Sequence, residues 1–95
     1  MTGDRPAGIA VEIVNERGLH ARAAAKFTAL AETFAAEITV SNGRDSVGGR
    51  SIMGLLMLAA ARGTKITISA EGTDAAAALE AVRALVEDGF GEDRD

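Results

Sequence analysis

The chain has 95 residues, of which 47% are hydrophobic, and a mean hydropathy of +0.12. That length supports one core, hiding about 64% of the surface of the extended chain, and the composition is globular rather than disordered. There is no cysteine, which excludes disulfides, thiolate metal sites and a cysteine nucleophile, and aromatics are 3% with no Trp or Tyr, which argues against stacking platforms for single-stranded nucleic acid. Net charge is −4, unevenly spread: residues 71–95 carry eight acidic and two basic side chains, whereas residues 1–70 carry six acidic and eight basic. Without a dense basic stripe, a nucleic-acid partner is not expected.

The opening MTGDRPAG has neither the basic nor the apolar region of a signal peptide. The longest apolar run, Leu55 to Ala61, falls far short of the roughly 18 residues a membrane span requires. A cytoplasmic monomer with no membrane insertion is the expectation. Residues 1–7 read as a flexible N-terminal extension, residues 8–90 as one folded domain, and residues 91–95 as an acidic tail.

In chain order, Gly8 to Val14 reads as a strand, with Ile9, Val11 and Ile13 on one apolar face. The loop Asn15-Glu16-Arg17-Gly18 follows, then a helical pattern from Ala21 to Ala36 with Phe27, Leu30, Ala31 and Phe34 in one stripe. Ile38 and Val40 mark a second strand. Asn42-Gly43 signals a hairpin leading to a short strand near Asp45 to Gly48. A short helix is predicted over Ser51 to Ala61, capped by Ser51, ended by Gly63 and buried through Ile52, Leu55, Leu56 and Ala59. Lys65 to Ala70 reads as a strand with Ile66 and Ile68 inward. Thr73 is a cap for a last helix running to Asp88, with Leu79, Val82 and Val86 in the core and Gly89 at the C′ position. The order β-α-β-β-α-β-α predicts an α+β layer of helices over one face of a mostly antiparallel sheet.

His20, the only histidine, stands between a glycine-containing loop and a helix start. The first amides of a helix lack internal partners and carry partial positive charge, so an anion is favoured there. Arg22 and Arg17 add guanidinium donors, and the imidazole is a nucleophile, so the segment could accept and hold a phosphoryl group. A surface cap histidine with incidental arginines is the competing reading. One histidine without cysteine makes a poor metal site, and there is neither a G-x-S-x-G elbow nor a phosphate-binding Gly-x-x-x-x-Gly-Lys loop. Ser51 opens a helix, where capping is its simplest role, and Met53, if turned away from the core, gives an adaptable apolar docking surface.

Gly18-Leu19-His20-Ala21-Arg22 followed by an alanine-rich helix, with Ser51-Ile52-Met53-Gly54 about thirty residues later, resembles HPr, the histidine-containing phosphocarrier family of the bacterial phosphoenolpyruvate-dependent phosphotransferase system. The resemblance spans about Gly8 to Phe90. It implies an open-faced β-sandwich: a four-stranded antiparallel sheet with three helices on one face. It implies that His20 takes phosphate from phosphorylated enzyme I on Nδ1 and passes it to enzyme IIA domains, as a phosphotransfer intermediate rather than an autonomous catalyst. Arg22 would contact the phosphoryl group, and Ser51 would be the regulatory site in members served by HPr kinase/phosphorylase. Arg17, Ala21, Ile52, Met53 and Leu56 would meet partners; no cofactor or metal is implied. The branch served, sugar uptake or a nitrogen-related relay, is left open. Two departures stand out. Ala23 replaces the family's proline, which predicts a slightly looser helix start, and Gly48-Gly49 predicts a more flexible approach to Ser51. The alternative from another class is a ferredoxin-like regulatory or ligand-binding module without phosphotransfer.

Overall fold

The structure is a computed structural model that describes residues 7–92. The expected N-terminal extension lies outside the described residues except for Ala7, as do residues 93–95 of the acidic tail. Four strands, β1 (Ala7–Glu12), β2 (Glu37–Ser41), β3 (Ser46–Gly48) and β4 (Lys65–Glu71), form one sheet in the order β1-β4-β2-β3, every neighbouring pair antiparallel. Three helices, α1 (Ala21–Ala31), α2 (Ile52–Leu58) and α3 (Ala75–Glu87), cover one face. This is the open-faced sandwich that the sequence leads one to expect. Register follows the alternation: Ile9 faces Ile68, Val11 faces Ile66, and Val40 faces Ile68 from the other side. Their companions Glu12, Glu37, Lys65 and Thr67 point to the uncovered face.

Phe27, Ile13, Leu55, Ile66, Ile68, Val82, Val86 and Phe90 fill the core beneath the helices. The remaining space is lined by alanines, with Ala23, Ala24, Ala31, Ala36, Ala60, Ala70 and Ala78 all buried. No described helix is long and apolar enough to cross a membrane.

Three predicted boundaries are corrected, each by a tertiary contact. Helix α1 stops at Ala31, not Ala36. The amides of Ala35 and Ala36 donate to the Asp74 carboxylate at 2.9 and 2.8 Å instead of to the preceding helical turn. Phe34 is therefore a half-buried loop residue packed against the core. The same contacts occupy Asp74, which stands at the N-cap of α3 without capping it through its side chain, while Thr73 is exposed.

Helix α2 stops at Leu58. Ala59 adopts a left-handed conformation (φ 52°), which for an L-residue costs about 1 kcal/mol. Gly63, expected as the stop, instead turns the chain into β4 at φ 89°, and its amide donates to the Ile13 carbonyl at 2.7 Å. The buried face of α2 is also rotated from the expected one. Leu55 and Leu58 are buried, Leu56 is half-buried, and Ile52 and Ala59 are exposed. Gly54 explains the rotation: a Cβ there would come within 2.9 Å of Val47, so the helix lies on β3 through its glycine.

Of the two glycines expected to loosen the approach to Ser51, Gly48 is exposed with open space about it and Gly49 is enclosed. Gly49 is buried, its amide donates to the Ile38 carbonyl at 2.7 Å, and an added Cβ would meet Ile38 at 2.9 Å and Phe27 at 3.2 Å. Ala23, in place of proline, is fully buried in the first turn of α1.

The Ala35 amide holds the Asp74 carboxyl below its usual pKa, against desolvation, with the Ala36 amide, its own amide and Arg50 adding to the shift. A carboxyl that titrates lower folded than unfolded stabilises above its unfolded value, and the effect is lost as pH falls through the folded one. Asp74→Asn is therefore expected to melt below the native chain at neutral pH. The gap should narrow as pH falls below the usual carboxyl range, through the lowered folded value. Thermal melts across that range check this, and a constant gap would contradict it.

Candidate functional site

The site begins with a bent loop. The Gly18 amide donates to the Asn15 carbonyl at 3.1 Å, and Gly18 takes φ 69°. Leu19 then turns inward, buried, and its amide donates to the Ala60 carbonyl at 2.9 Å. His20 follows as the N-cap of α1, in extended conformation, and its carbonyl accepts from the Ala24 amide at 2.8 Å. The imidazole folds over the helix start so that Nδ1 accepts from the Arg22 amide at 3.3 Å. The first-turn amides and the positive end of the helix thus lie on the Nδ1 side of the ring.

Arg17, Arg22, Lys26, Glu16, Gly91 and Glu92 line one open cleft of about 510 Å³ beside the imidazole. The guanidinium groups of Arg17 and Arg22 are exposed and bond no described residue. They are available to an incoming anion, and a forked guanidinium matches phosphate oxygens. Ala21 is exposed beside them. No group of described residues has the makings of a metal site.

Glu92 and Asn15 were not singled out by sequence reasoning. Glu92 Oε2 accepts from His20 Nε2 at 2.5 Å, and Glu92 Oε1 accepts from Asn15 Nδ2 at 3.0 Å. Desolvation raises the Glu92 carboxyl, but the hydrogen bonds from Asn15 and His20, with the electrostatic pull of His20 and Lys26, outweigh it and hold the group below its usual value. The chain end reaches this place through a 3-10 turn, Gly89–Gly91. Phe90 in that turn is left-handed (φ 56°), about 1–2 kcal/mol of strain, which burying its ring offsets by roughly 1.5–3 kcal/mol. The Phe90 carbonyl accepts from Lys26 Nζ at 2.7 Å, tying the turn to α1.

Ser51 is placed elsewhere. It caps α2, its Oγ accepting from the Gly54 amide at 3.0 Å, and its side chain is exposed. Thr28, two turns along α1 from His20, donates to the Gly49 carbonyl at 3.3 Å, so Ser51 lies beside that part of α1 and apart from the imidazole. The far end of α2 leads to Ala60, against the His20 loop. Between the two ends α2 exposes Ile52, Met53 and Met57, at 41%, 69% and 76% of their surfaces, with Leu56 half-buried beside them. The exposed methionines thus lie on the helix packed beside α1, which carries the imidazole at its head.

Residues 8–88 match the family model described as the PTS HPr component phosphorylation site. The chain is 49% identical over 82 residues to phosphocarrier protein HPr of Neisseria meningitidis, covering 86% of this chain and 92% of that one. It is equally similar, at 49% over 82 residues, to phosphocarrier protein NPr of Shewanella violacea, with 86% and 90% covered. Among solved structures it superimposes on HPr from Thermoanaerobacter tengcongensis with a TM-score of 0.88 at 39% identity, covering 93% of this chain and 99% of that one. HPr from Bacillus anthracis gives 0.82 at 41% identity, with 85% and 96% covered. Sequence, sheet order and the imidazole at the head of α1 agree, and the chain belongs to the HPr family of phosphocarrier proteins of the phosphotransferase system.

Proposed function

We propose that His20 is the residue that carries the phosphoryl group, accepting it on Nδ1 from phosphorylated enzyme I and passing it to enzyme IIA domains in the cytoplasm. The observation that carries this reading is the direction of the ring. Nδ1 faces the amides and positive end of α1, and the guanidinium groups of Arg17 and Arg22, which bond no described residue, line the neighbouring cleft. A phosphoryl group on Nδ1 would take the lone pair that the Arg22 amide now meets, leaving that amide as a donor at the head of α1. Arg22 stabilises charge on the transferring oxygens. The exposed face of α2, with Ile52, Met53 and Leu56, supplies apolar area for partners, and its methionines adapt to more than one surface. Arg17 and Ala21 complete the contact around the imidazole. The chain acts as a monomer, a protein substrate for the enzymes on either side of it.

Ser51 is proposed as a regulatory phosphorylation site for HPr kinase/phosphorylase. A phosphate there adds about −1.5 to −2 charge at a helix N-terminus, where the fold accepts it. Its effect falls on docking. The charge stands at the edge of the Ile52–Met53 surface, which a partner must desolvate, and not against the imidazole.

Three outcomes follow from this reading. His20→Ala loses one cap bond of about 1 kcal/mol, stays folded and accepts no phosphate from enzyme I and phosphoenolpyruvate. Intact-mass spectrometry reads this directly, and a phosphorylated peak as strong as that of the native chain would refute the acceptor assignment. Arg22→Lys keeps charge but loses forked donation, and transfer is expected to slow roughly tenfold, or about 1.4 kcal/mol of barrier, at unchanged melting temperature. Transfer at the native rate would reduce Arg22 to a surface charge. Ser51→Asp is expected to be phosphorylated on His20 more slowly than Ser51→Ala while remaining folded. Equal rates in the two variants would leave Ser51 as a helix cap alone.

A further inference from the structure

A carboxylate sits against the ring nitrogen that does not face the helix, and the motif around His20 does not account for it. Glu92 reaches that position because buried Phe90 and the Lys26–Phe90 tie bring the chain end back over α1. There one Glu92 oxygen accepts from His20 Nε2 at 2.5 Å and the other from Asn15 Nδ2 at 3.0 Å. Asn15 is fully buried, and its amide nitrogen also donates to the Gly18 carbonyl at 2.8 Å. A buried amide thus aims the carboxylate, and the carboxylate aims the imidazole.

The partner of one imidazole nitrogen decides which nitrogen carries the proton. An ionised carboxylate can only accept, so Nε2 carries the hydrogen and Nδ1 presents a lone pair. The Arg22 amide, donating to Nδ1, agrees with that assignment. The ring is thereby set, before any partner arrives, with its nucleophilic nitrogen towards the start of α1.

We propose that Asn15 and Glu92 are positioning residues for phosphoryl transfer, holding His20 as the Nε2–H tautomer and staying paired with that proton while the ring becomes cationic. The proposal rests on the reading of His20 as acceptor. In the forward step the Nδ1 lone pair forms the bond to phosphorus, and the donor's bond to phosphorus breaks with its electron pair remaining on the donor. The Nε2 proton does not move. The ring has shared an electron pair without losing a proton, so it gains positive charge, and Glu92 stands where that charge is stabilised. In the onward step a nucleophile of the receiving protein forms the new bond to phosphorus, and the pair from the N–P bond returns to Nδ1. Because Nε2 has kept its proton, the departing group is a neutral imidazole and not an imidazolate.

The experiment uses the full chain labelled with 15N. His20 is the only histidine, so its ring signals need no assignment. The native chain is expected to show a slowly exchanging Nε2-bound proton and ring nitrogen shifts of the Nε2–H tautomer. Glu92→Ala is expected to lose that proton signal to solvent exchange and to accept phosphate from enzyme I about tenfold more slowly, with a melt confirming that it is folded. Glu92→Gln, which still offers an acceptor oxygen but no charge, should retain the signal and fall between the two in rate. An unchanged ring spectrum in Glu92→Ala overturns the proposal, and so does a changed spectrum with a native transfer rate. Failure of the native chain to accept phosphate would overturn the acceptor reading and the proposal together, whereas equal acceptance by native and Glu92→Ala chains would overturn the proposal alone.

Discussion

Gly18 and Leu19 lie against the Ala60 carbonyl, and the rest of the site depends on this approach of two loops. A Cβ on Gly18 would stand 2.6 Å from that oxygen and 3.0 Å from Ala61 Cα, and the residue already needs φ 69°. Only glycine satisfies both demands. The Leu19 amide then takes the same carbonyl, which requires α2 to have ended, and Ala59 accepts a left-handed backbone to end it. The Gly18 carbonyl in turn receives the His20 amide at 2.9 Å and Asn15 Nδ2 at 2.8 Å. Main-chain packing between two turns therefore sets the start of α1, the stop of α2 and the anchorage of the imidazole together.

The electrostatics of the cleft suit a carrier. Strong binders of phosphate surround it with many fixed donors, whereas here two exposed guanidinium groups face a cleft that also contains Glu16 and Glu92. The uneven charge of the sequence has a spatial meaning as well. The turn at Phe90 lies back against the basic first helix, and Lys26 meets it through a carbonyl rather than a carboxylate. In a phosphocarrier, a group met by few fixed donors can be surrendered to the next protein without a large rise in energy.

Much of this was legible in the sequence. Strand alternation in Ile9, Val11 and Ile13, and in Ile38 and Val40, gave the sheet face directly, because a period of two leaves little choice once one side is buried. The loop-to-helix placement of His20 was visible from glycine before it and alanines after it. The misses share a cause: the deciding contact was remote in sequence. Asp74 captures amides at Ala35 and Ala36 and ends α1, Val47 receives Gly54 and rotates α2, and Ile38 and Phe27 clamp Gly49. Glu92 was hidden for the same reason. An acidic residue near a chain end looks like a solvated tail until Phe90 is seen to be buried. That aromatic, isolated between two glycines, was the signal that could have revealed it.

The buried alanines give the core an unusual response to change. A methyl group leaves only a small void when removed, whereas any larger side chain at Ala24, Ala31 or Ala78 must displace a helix from the sheet, because each is fully enclosed. Tolerance in this molecule is therefore one-sided. Trimming to glycine costs about 1 kcal/mol through the helix backbone, with little void to add to it. Enlargement, one methylene at a time, is the direction in which the interface is most sensitive.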